Sequence, residues 1–444
     1  MQEQQWNREL RYWLDQAARA AGFSLVGVAA VRAPDDPAAA KDSARFSAWI
    51  DAGYAGEMEY LKRRDQQGTL LRGNVRVAMP WARSVIVCAM NYSYSGPSGS
   101  AEDPLPRAIL PRSIDPTPPG SGWIARYAWT GSTREDGASK PTDYHDELLA
   151  RLRDIELGLL SRAGCTSCCY VDTGPLVERT LAAEAGIGWI GKNTCLLNQQ
   201  LGSWLLLGVI VTSLAVEEIR DCVEGAHSAN SSDQSKQLDS KQSVNTQSKN
   251  VIDTRRSHFD PPDHCGSCTR CIDACPTGAL LGSKSPNSPR TMDASRCIAY
   301  LTIEKKGAID PNLRAPMGRH VFGCDICQDV CPWNRKAVVA QNEGTVSSAR
   351  HTGQCVWESM RPRPELVNPE LDWLAAMDAG QFKRLFKGSP LERTGRKRLL
   401  RNVAIAMGNS GEARFLPQLE AWAVGEDPVL ADAAQWARAR LLAL

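Results

Sequence analysis

The sequence predicts a multidomain protein of mixed class, α+β or α/β. It divides into a domain of strands and helices over 1–221, a small cysteine-rich domain over 259–340, and a helical tail over 365–444. Three observations predict this. Apolar runs of strand type alternate with helical-period stretches through the first half of the chain. Eight of the fifteen cysteines crowd into residues 265–331. The tail carries apolar positions at helical spacing, broken by short polar turns.

The first element is a helix. WNRELRYWLDQAARAA (6–21) spaces its apolar side chains three and four apart and stops at Gly22, a residue suited to the left-handed position that closes a helix. FSLVGVAAV follows as a strand, and SVIVCAMNY (84–92) as a second, buried on both faces. Between them Ala44–Lys62 reads as helical, with Phe46, Trp49, Tyr54 and Tyr60 along it. Residues 95–122, rich in Ser, Gly and Pro, form a surface loop. Asp143–Ala163 is an amphipathic helix, CCYVDT (168–173) a strand, and Pro175–Ala185 a short helix ending at Gly186. TCLLNQQLGSWLLLGVIVTS reads as a hairpin with its turn near Asn198–Gly202. The Ser, Gln, Lys and Asn tract over 222–258 has too few apolar residues to offset chain entropy, so a disordered insertion is expected there. The tail segments LDWLAAM, QFKRLF, RKRLLRNVAIAMGNSG, ARFLPQLEAWAV and VLADAAQWARARLLAL pair as in a HEAT-type repeat.

Composition is globular, with 43% hydrophobic and 23% charged residues and a formal net charge of +2. A near-neutral sum leaves a nucleic-acid partner open, because binding depends on where charge clusters. The start, MQEQQWNREL, lacks the apolar core of a signal peptide. The longest apolar stretch, Gly202–Val216, falls short of the roughly 20 residues that cross a bilayer. A cytoplasmic protein is expected.

In the cytosol thiols stay reduced, so the cysteines point to metal rather than disulfides. Cys265, Cys268, Cys271 and Cys275 form C-x2-C-x2-C-x3-C followed by Pro276, the spacing that wraps a 4Fe–4S cubane and sends its fourth thiolate to a neighbouring cluster. Cys324, Cys327 and Cys331-Pro332 repeat the ending, with Val321 where a first cysteine would stand, and Cys297 completes the count. Cluster one is then Cys265, Cys268, Cys271 and Cys331; cluster two is Cys275, Cys297, Cys324 and Cys327. Paired zinc sites are the alternative, but zinc has no need of the C-x3-C-P ending. The other cysteines, Cys88, Cys165, Cys168, Cys169, Cys195, Cys222 and Cys355, read as ordinary thiols; Cys165-x-x-Cys168 has no second pair at ribbon spacing. Two clusters carry electrons without defining a reaction. The upstream domain must hold the substrate or another redox centre, and it shows neither a Gly-x-Gly-x-x-Gly nor a phosphate-loop motif.

YVDTGPLVERTLAAEAGIGWIGKN (170–193), the eight-cysteine pattern and CIAYLTIEKKG (297–307) together resemble the epoxyqueuosine reductase family, across most of 6–335. The resemblance implies a cobalamin in the upstream domain beside cluster two. It implies reduction of the epoxide of epoxyqueuosine at the anticodon wobble position, giving queuosine in tRNAs for Asp, Asn, His and Tyr. Electrons from an external low-potential donor pass through the clusters to cobalt, which attacks or coordinates the epoxide-bearing ring, and oxygen leaves as water. Epoxide opening develops an alkoxide that needs an acid. The family motif makes Asp172 that proton donor, whereas the residues alone favour a helix N-cap in Asp172-Thr173-Gly174-Pro175. The implied cobalamin contacts are Arg126, Tyr127, Asp172, Lys192, Asn193, Leu196, Ala299 and Tyr300, with Gly186, Gly188 and Gly191 permitting close backbone approach. Arg126-Tyr127 and Asp143-Tyr144-His145 match pieces of a motif that is continuous in the family and is separated here by Gly131–Thr142. His145 is not expected as a lower cobalt ligand.

A tRNA partner requires positive charge. Lys383, Arg384, Lys387, Arg393, Arg396, Lys397, Arg398 and Arg401 form a basic run opposed by Glu392 alone, and Lys305 and Lys306 lie beside the CIAYL segment. Lys305, Lys306, Lys397 and Arg398 are the candidate phosphate contacts; the alternative for such a run is a solvated helical face. A monomer is expected. The rival functions are a cobalamin and iron–sulfur reductase of a small molecule, resembling reductive dehalogenases, and a ferredoxin-like electron carrier.

Overall fold

The computed structural model describes residues 4–93, 118–133, 139–216, 264–283, 285, 290–334 and 357–443. The expected insertion at 222–258 and most of the 95–122 loop lie outside these residues. No helix among the described residues is long and apolar enough to cross a membrane.

The N-terminal half is built on four strands: β1 (Leu25–Ala30), β2 (Ser84–Asn91), β3 (Ser167–Tyr170) and β4 (Leu205–Thr212). They lie in the order β1-β2-β4-β3, and every pairing is antiparallel. This four-stranded sheet is therefore antiparallel throughout, as in an α+β arrangement. Period-two alternation sends Ile86, Cys88, Met90 and Ile210 to one face of the sheet, against Leu10 and Leu14 of helix Arg8–Ala20 and Leu148, Leu152 and Ile155 of helix Tyr144–Ala163. Val85, Val87, Ala89, Val209 and Val211 face the other way, onto Leu176, Leu181, Ala182 and Ile187. Both faces are covered, which is why SVIVCAMN reads as a continuous apolar run.

Local signals place the helix ends well. Asn7 caps the first helix, and Gly22 follows its end with φ +84°. Asp143 caps helix Tyr144–Ala163 through the His145 N–H, and Gly164 closes it in left-handed conformation. The helix expected over Ala44–Lys62 instead runs Pro37–Asp51, because Asp36 caps it with Pro37 at its first position, and only a short 3-10 turn, Glu59–Leu61, follows. The predicted hairpin is also redrawn. The Asn198–Gly202 turn exists, but Leu196–Leu197 pairs with Trp189–Ile190 and not with β4. Gly188 makes that short ribbon possible, since a Cβ there would stand 2.0 Å from the Leu197 carbonyl oxygen.

The cysteine-rich segment and the tail share one core. Ile298, Leu301, Val321, Phe322 and Ile326 pack with Leu371, Phe386, Leu399, Val403, Phe415 and Ala437. Helix Gly395–Ser410 is its axis, and it carries polar staples on consecutive residues. Buried Arg401 donates to the carbonyls of Leu301, Lys305 and Gly307 at 2.6–2.7 Å. Asn402 donates to those of Thr302 and Val321, both at 2.9 Å. Gly408 lets helix Pro428–Leu442 cross closely, because a Cβ there would meet Ala437 at 2.7 Å.

Candidate active site

The eight cysteines of 265–331 gather into two quartets. The electrostatic neighbours of Cys271 are Cys265, Cys268 and Cys331; those of Cys324 include Cys275 and Cys297; and those of Cys327 include Cys297 and Cys324. Backbone amides point at the sulfurs: Ala279 donates to Cys275 at 3.3 Å, Ala299 and Tyr300 to Cys297, Ile326 to Cys324, and Trp333 and Asn334 to Cys331. Burial pushes Cys271 up to about 12 and Cys331 up to about 11, so ionising such a quartet together requires the charge of a metal centre. Among the described residues, no three His, Cys, Asp or Glu side chains converge as ligands of a single ion. The quartets thus suit a multi-iron cubane better than zinc.

The first quartet borders the surface. A cavity of about 230 Å³ beside it is lined by His264, Arg270, Trp333 and the buried Lys192, whose Nζ donates to the Gly266 carbonyl at 2.6 Å. The second quartet is deeper. Asn193 reaches the Cys327 carbonyl at 3.4 Å, and Arg126 is held by Asp325 and Asp329 with its guanidinium 4.5 Å from the Trp204 ring centroid. A ninth thiol, Cys195, bonds to Cys327, and that contact lowers its pKa to about 7.

Asp172 stands just beyond the end of β3, exposed, in left-handed conformation with φ 57°. It does not cap the following helix, which begins at Glu178 without a side-chain cap. Three neighbours hold it instead, and a glycine shapes its turn. Its N–H donates to Glu178 Oε1 at 2.7 Å, Arg72 donates to its carbonyl at 3.3 Å, the Tyr144 hydroxyl donates to its Oδ2, and Gly174 lets the turn fold onto the Tyr170 ring. Burial, then the Asp172 charge, hold Glu178 well above the usual carboxylate range. Burial and Asp172 likewise keep the Tyr144 phenol neutral, so it serves as a donor. Burial opposes the charge on Arg179, but Cys195, Asp172 and Cys327 outweigh it and raise its pKa, while the side chain donates to the Thr194 carbonyl at 2.8 Å. Arg179 therefore lies between the acid and the second quartet. Asp172 is exposed, and Arg179 interacts electrostatically both with it and with Cys327 of the second quartet, a grouping of acid and cation beside the cysteines that suits reductive chemistry which also consumes protons.

Residues 72–173 match the family model described as epoxyqueuosine reductase QueG, DUF1730, and residues 264–334 match that of a 4Fe-4S double cluster binding domain. The chain is 32% identical to the epoxyqueuosine reductase of Pseudomonas aeruginosa, over 94% of this chain and 86% of that one. It is 33% identical to that of Gloeobacter violaceus, over 89% of this chain and 95% of that one. The chain belongs to the epoxyqueuosine reductase family. The fold agrees. A crystal structure of selenomethionine-labelled epoxyqueuosine reductase superposes with a TM-score of 0.68 at 25% identity, covering 98% of this chain and 90% of that one. Another, with an epoxyqueuosine-modified tRNA-Tyr stem loop, superposes at 0.67 with the same identity and coverage.

In this member of the epoxyqueuosine reductase family the other expected residues are placed as follows. Buried Tyr127 packs edge-on to Tyr144, with ring centroids 5.7 Å apart. Leu196 is core, and Ala299 is the second residue of helix Ile298–Ile303, which follows Cys297. The Tyr300 hydroxyl accepts from the Glu57 N–H at 2.8 Å and so faces the N-terminal loop. Lys305 pairs with Glu57, whereas Lys306 is exposed. Lys397 is exposed, but all three guanidinium nitrogens of Arg398 are engaged by the carbonyls of Thr394, Ile303 and Arg393. The basic run thus splits between a surface set (Lys383, Arg384, Lys387, Lys397) and inward staples (Arg398, Arg401). Sequence reasoning missed Glu178, Arg179 and Cys195. The first two stand in YVDTGPLVERT as consecutive charges on the first turn after the motif, a spacing that returns them to Asp172.

Proposed function

We propose that this chain reduces epoxyqueuosine to queuosine in tRNA, the last step of queuosine biosynthesis. The observation that carries the reading is that Arg179 feels the charge of both Asp172 and Cys327 of the second quartet, and we take the space these groups border as the reacting crevice. Cluster one is assigned to Cys265, Cys268, Cys271 and Cys331, near the surface where an external low-potential donor reaches it. Cluster two, on Cys275, Cys297, Cys324 and Cys327, passes electrons onward to the crevice.

Cobalamin fits that crevice. Its mouth carries exposed Val177 and Tyr60, apolar surface beside charged Asp172 and Arg179, as a large planar cofactor with polar edges requires. Asn193, Ala299 and Tyr127 are assigned to its rim, while Arg126, Lys192, Leu196 and Tyr300 hold the walls behind them. When bound, cobalamin supplies the reducing equivalents that break the carbon–oxygen bonds. The chain's residues do the rest: Asp172 protonates the leaving oxygen, Tyr144 holds Asp172 by its Oδ2, and Arg179 offsets negative charge between acid and cluster. The partners are the anticodon stem-loops of tRNAs for Asp, Asn, His and Tyr, drawn by exposed Lys306, Lys383, Arg384, Lys387 and Lys397. We read the tail as a minimal HEAT-like repeat and the protein as a cytoplasmic monomer.

The test is anaerobic reconstitution with iron, sulfide and cobalamin, then reaction of the reduced protein with epoxyqueuosine-containing tRNA. Two cubanes, one bound cobalamin and conversion to queuosine support the reading. Clusters without cobalamin, and no conversion, leave an electron carrier.

A further inference from the structure

Removing an epoxide oxygen needs two protons as well as two electrons. Both carbon–oxygen bonds break, one carbon–carbon double bond forms, and the oxygen leaves as water. A single carboxyl supplies one proton per ionisation. Asp172, the only acid that the reading above places at the reacting oxygen, must therefore be reloaded within the turnover.

The group placed to do this is Glu178. It opens helix Glu178–Glu184, six residues beyond Asp172, and its Oε1 accepts the Asp172 N–H at 2.7 Å. The Glu178 carboxyl thus sits against the Asp172 backbone, close enough to feel the Asp172 charge, while the Tyr144 hydroxyl donates to Asp172 Oδ2. We propose that Glu178 is the proton reservoir of this site, passing a second proton to Asp172 between the two bond cleavages. The inference rests on the epoxide-reducing role of Asp172 proposed above. In sequence, Asp172 gives its proton to the oxygen as the first carbon–oxygen bond breaks. Glu178 reprotonates Asp172. Asp172 then protonates the same oxygen as the second bond breaks and water departs, and solvent reloads both carboxyls. The two electrons come from the external low-potential donor through the clusters.

The surroundings suit a carboxyl that keeps its proton. Burial is the main reason that Glu178 holds its proton above the usual range, and the Asp172 charge adds to it; Arg72 opposes both. Arg179, Tyr60 and Tyr144 complete the titratable and charged groups around the pair. Beside a charged Asp172 the tightly held proton is the one on Glu178, and Asp172 takes its first proton from solvent before each turnover. Because the folded-state value of Glu178 is raised, its proton is available at and below neutrality and is lost as pH rises through that value.

Glu178→Gln separates this role from simple positioning, since the amide oxygen still accepts the Asp172 N–H but carries no acidic proton. The holoprotein is assayed in single turnovers on epoxyqueuosine tRNA from pH 5.5 to 9, with wild type alongside. The reservoir role predicts a basic limb displaced to lower pH in the variant and a rate about 10–100-fold below wild type at pH 8, at or below the lower end of what a positioned acid is worth, since Asp172 itself remains. Substrate affinity and cluster content stay unchanged. Infrared titration of wild type supplies a readout independent of turnover: a protonated carboxyl band that persists above pH 7 and disappears in Glu178→Gln. An unchanged pH profile in the variant, or no such band in wild type, overturns the proposal; the infrared result decides if the variant fails to fold. Wild type that never converts the tRNA overturns the functional reading instead, whatever the infrared titration shows.

Discussion

Asp172→Asn is the substitution that best isolates the proposed acid, and the backbone says why alanine is the poorer choice. At φ 57° a non-glycine residue sits in left-handed space, where Asn is among the least strained side chains and Ala pays about 1–2 kcal/mol. Asn also keeps an oxygen for the Tyr144 hydroxyl and an N–H for Glu178, so both local contacts survive. What disappears is the acidic proton. A positioned general acid is worth about 10²–10⁴ in rate, and at 1.36 kcal/mol per decade this is roughly 3–5 kcal/mol of lost transition-state stabilisation. The assay is single-turnover conversion of epoxyqueuosine tRNA by reduced, reconstituted protein, with iron, cobalamin and tRNA affinity measured on the same preparation. An Asp172→Asn variant with full cofactor content, normal tRNA binding and a rate within about threefold of wild type would refute Asp172 as the donor.

Four further outcomes follow from the packing and the placement of charge. Arg126→Met removes the cation paired with Asp325 and Asp329, whose side chains are only 11% and 20% exposed, although the residue-126 backbone N–H still donates to Asp325. Breaking a buried pair this way costs about 3–5 kcal/mol, so a lower melting temperature and loss of iron from the second cluster are expected by calorimetry and EPR. Gly188→Ala drives a Cβ into the Leu197 carbonyl and should open the ribbon that carries Trp189 against Cys331. Overpacking of this kind costs about 1–3 kcal/mol, and iron analysis should show the first cluster depleted before the second. Replacing Lys383, Arg384 and Lys387 together by Ala should flatten the salt dependence of tRNA binding by about 2–3 units of log–log slope, roughly 0.7–0.9 for each phosphate that is no longer neutralised. Arg398→Ala should leave that slope alone and lower stability, because its guanidinium bonds to protein carbonyls.

Legibility in the sequence followed the range of the interactions. The cluster cysteines were readable because cubane ligation imposes spacing along the chain, and the end of the first helix at Gly22 because that closing position is local. Sheet direction was not readable: β2, buried on both faces, has the apolar run of a parallel strand, yet its partners are antiparallel, and only the packing of helices on both sides explains the pattern. The charge run over 383–401 misled for the opposite reason. Sequence counts charges without their partners, and Arg401 sits at 1% exposure because three backbone carbonyls of the cluster segment converge on it.

That convergence has a functional consequence. The carbonyls of Leu301, Lys305 and Gly307, which Arg401 gathers, and those of Thr302 and Val321, which Asn402 gathers, belong to the segment between the second-cluster cysteines Cys297 and Cys324. The tail also reaches the acid. Arg393 pairs with Asp143 at 2.6 Å and lies 5.5 Å from the centroid of the Tyr144 ring, the same Tyr144 that donates to Asp172. One short stretch, Arg393–Asn402, therefore braces both the segment of the proposed second cluster and the tyrosine that holds the proposed acid. A tail serving only to hold RNA would need neither contact. With both, its docking is part of what keeps Asp172 and the second cluster at a fixed separation, so substitutions at Arg393 should impair turnover even where tRNA binding is intact.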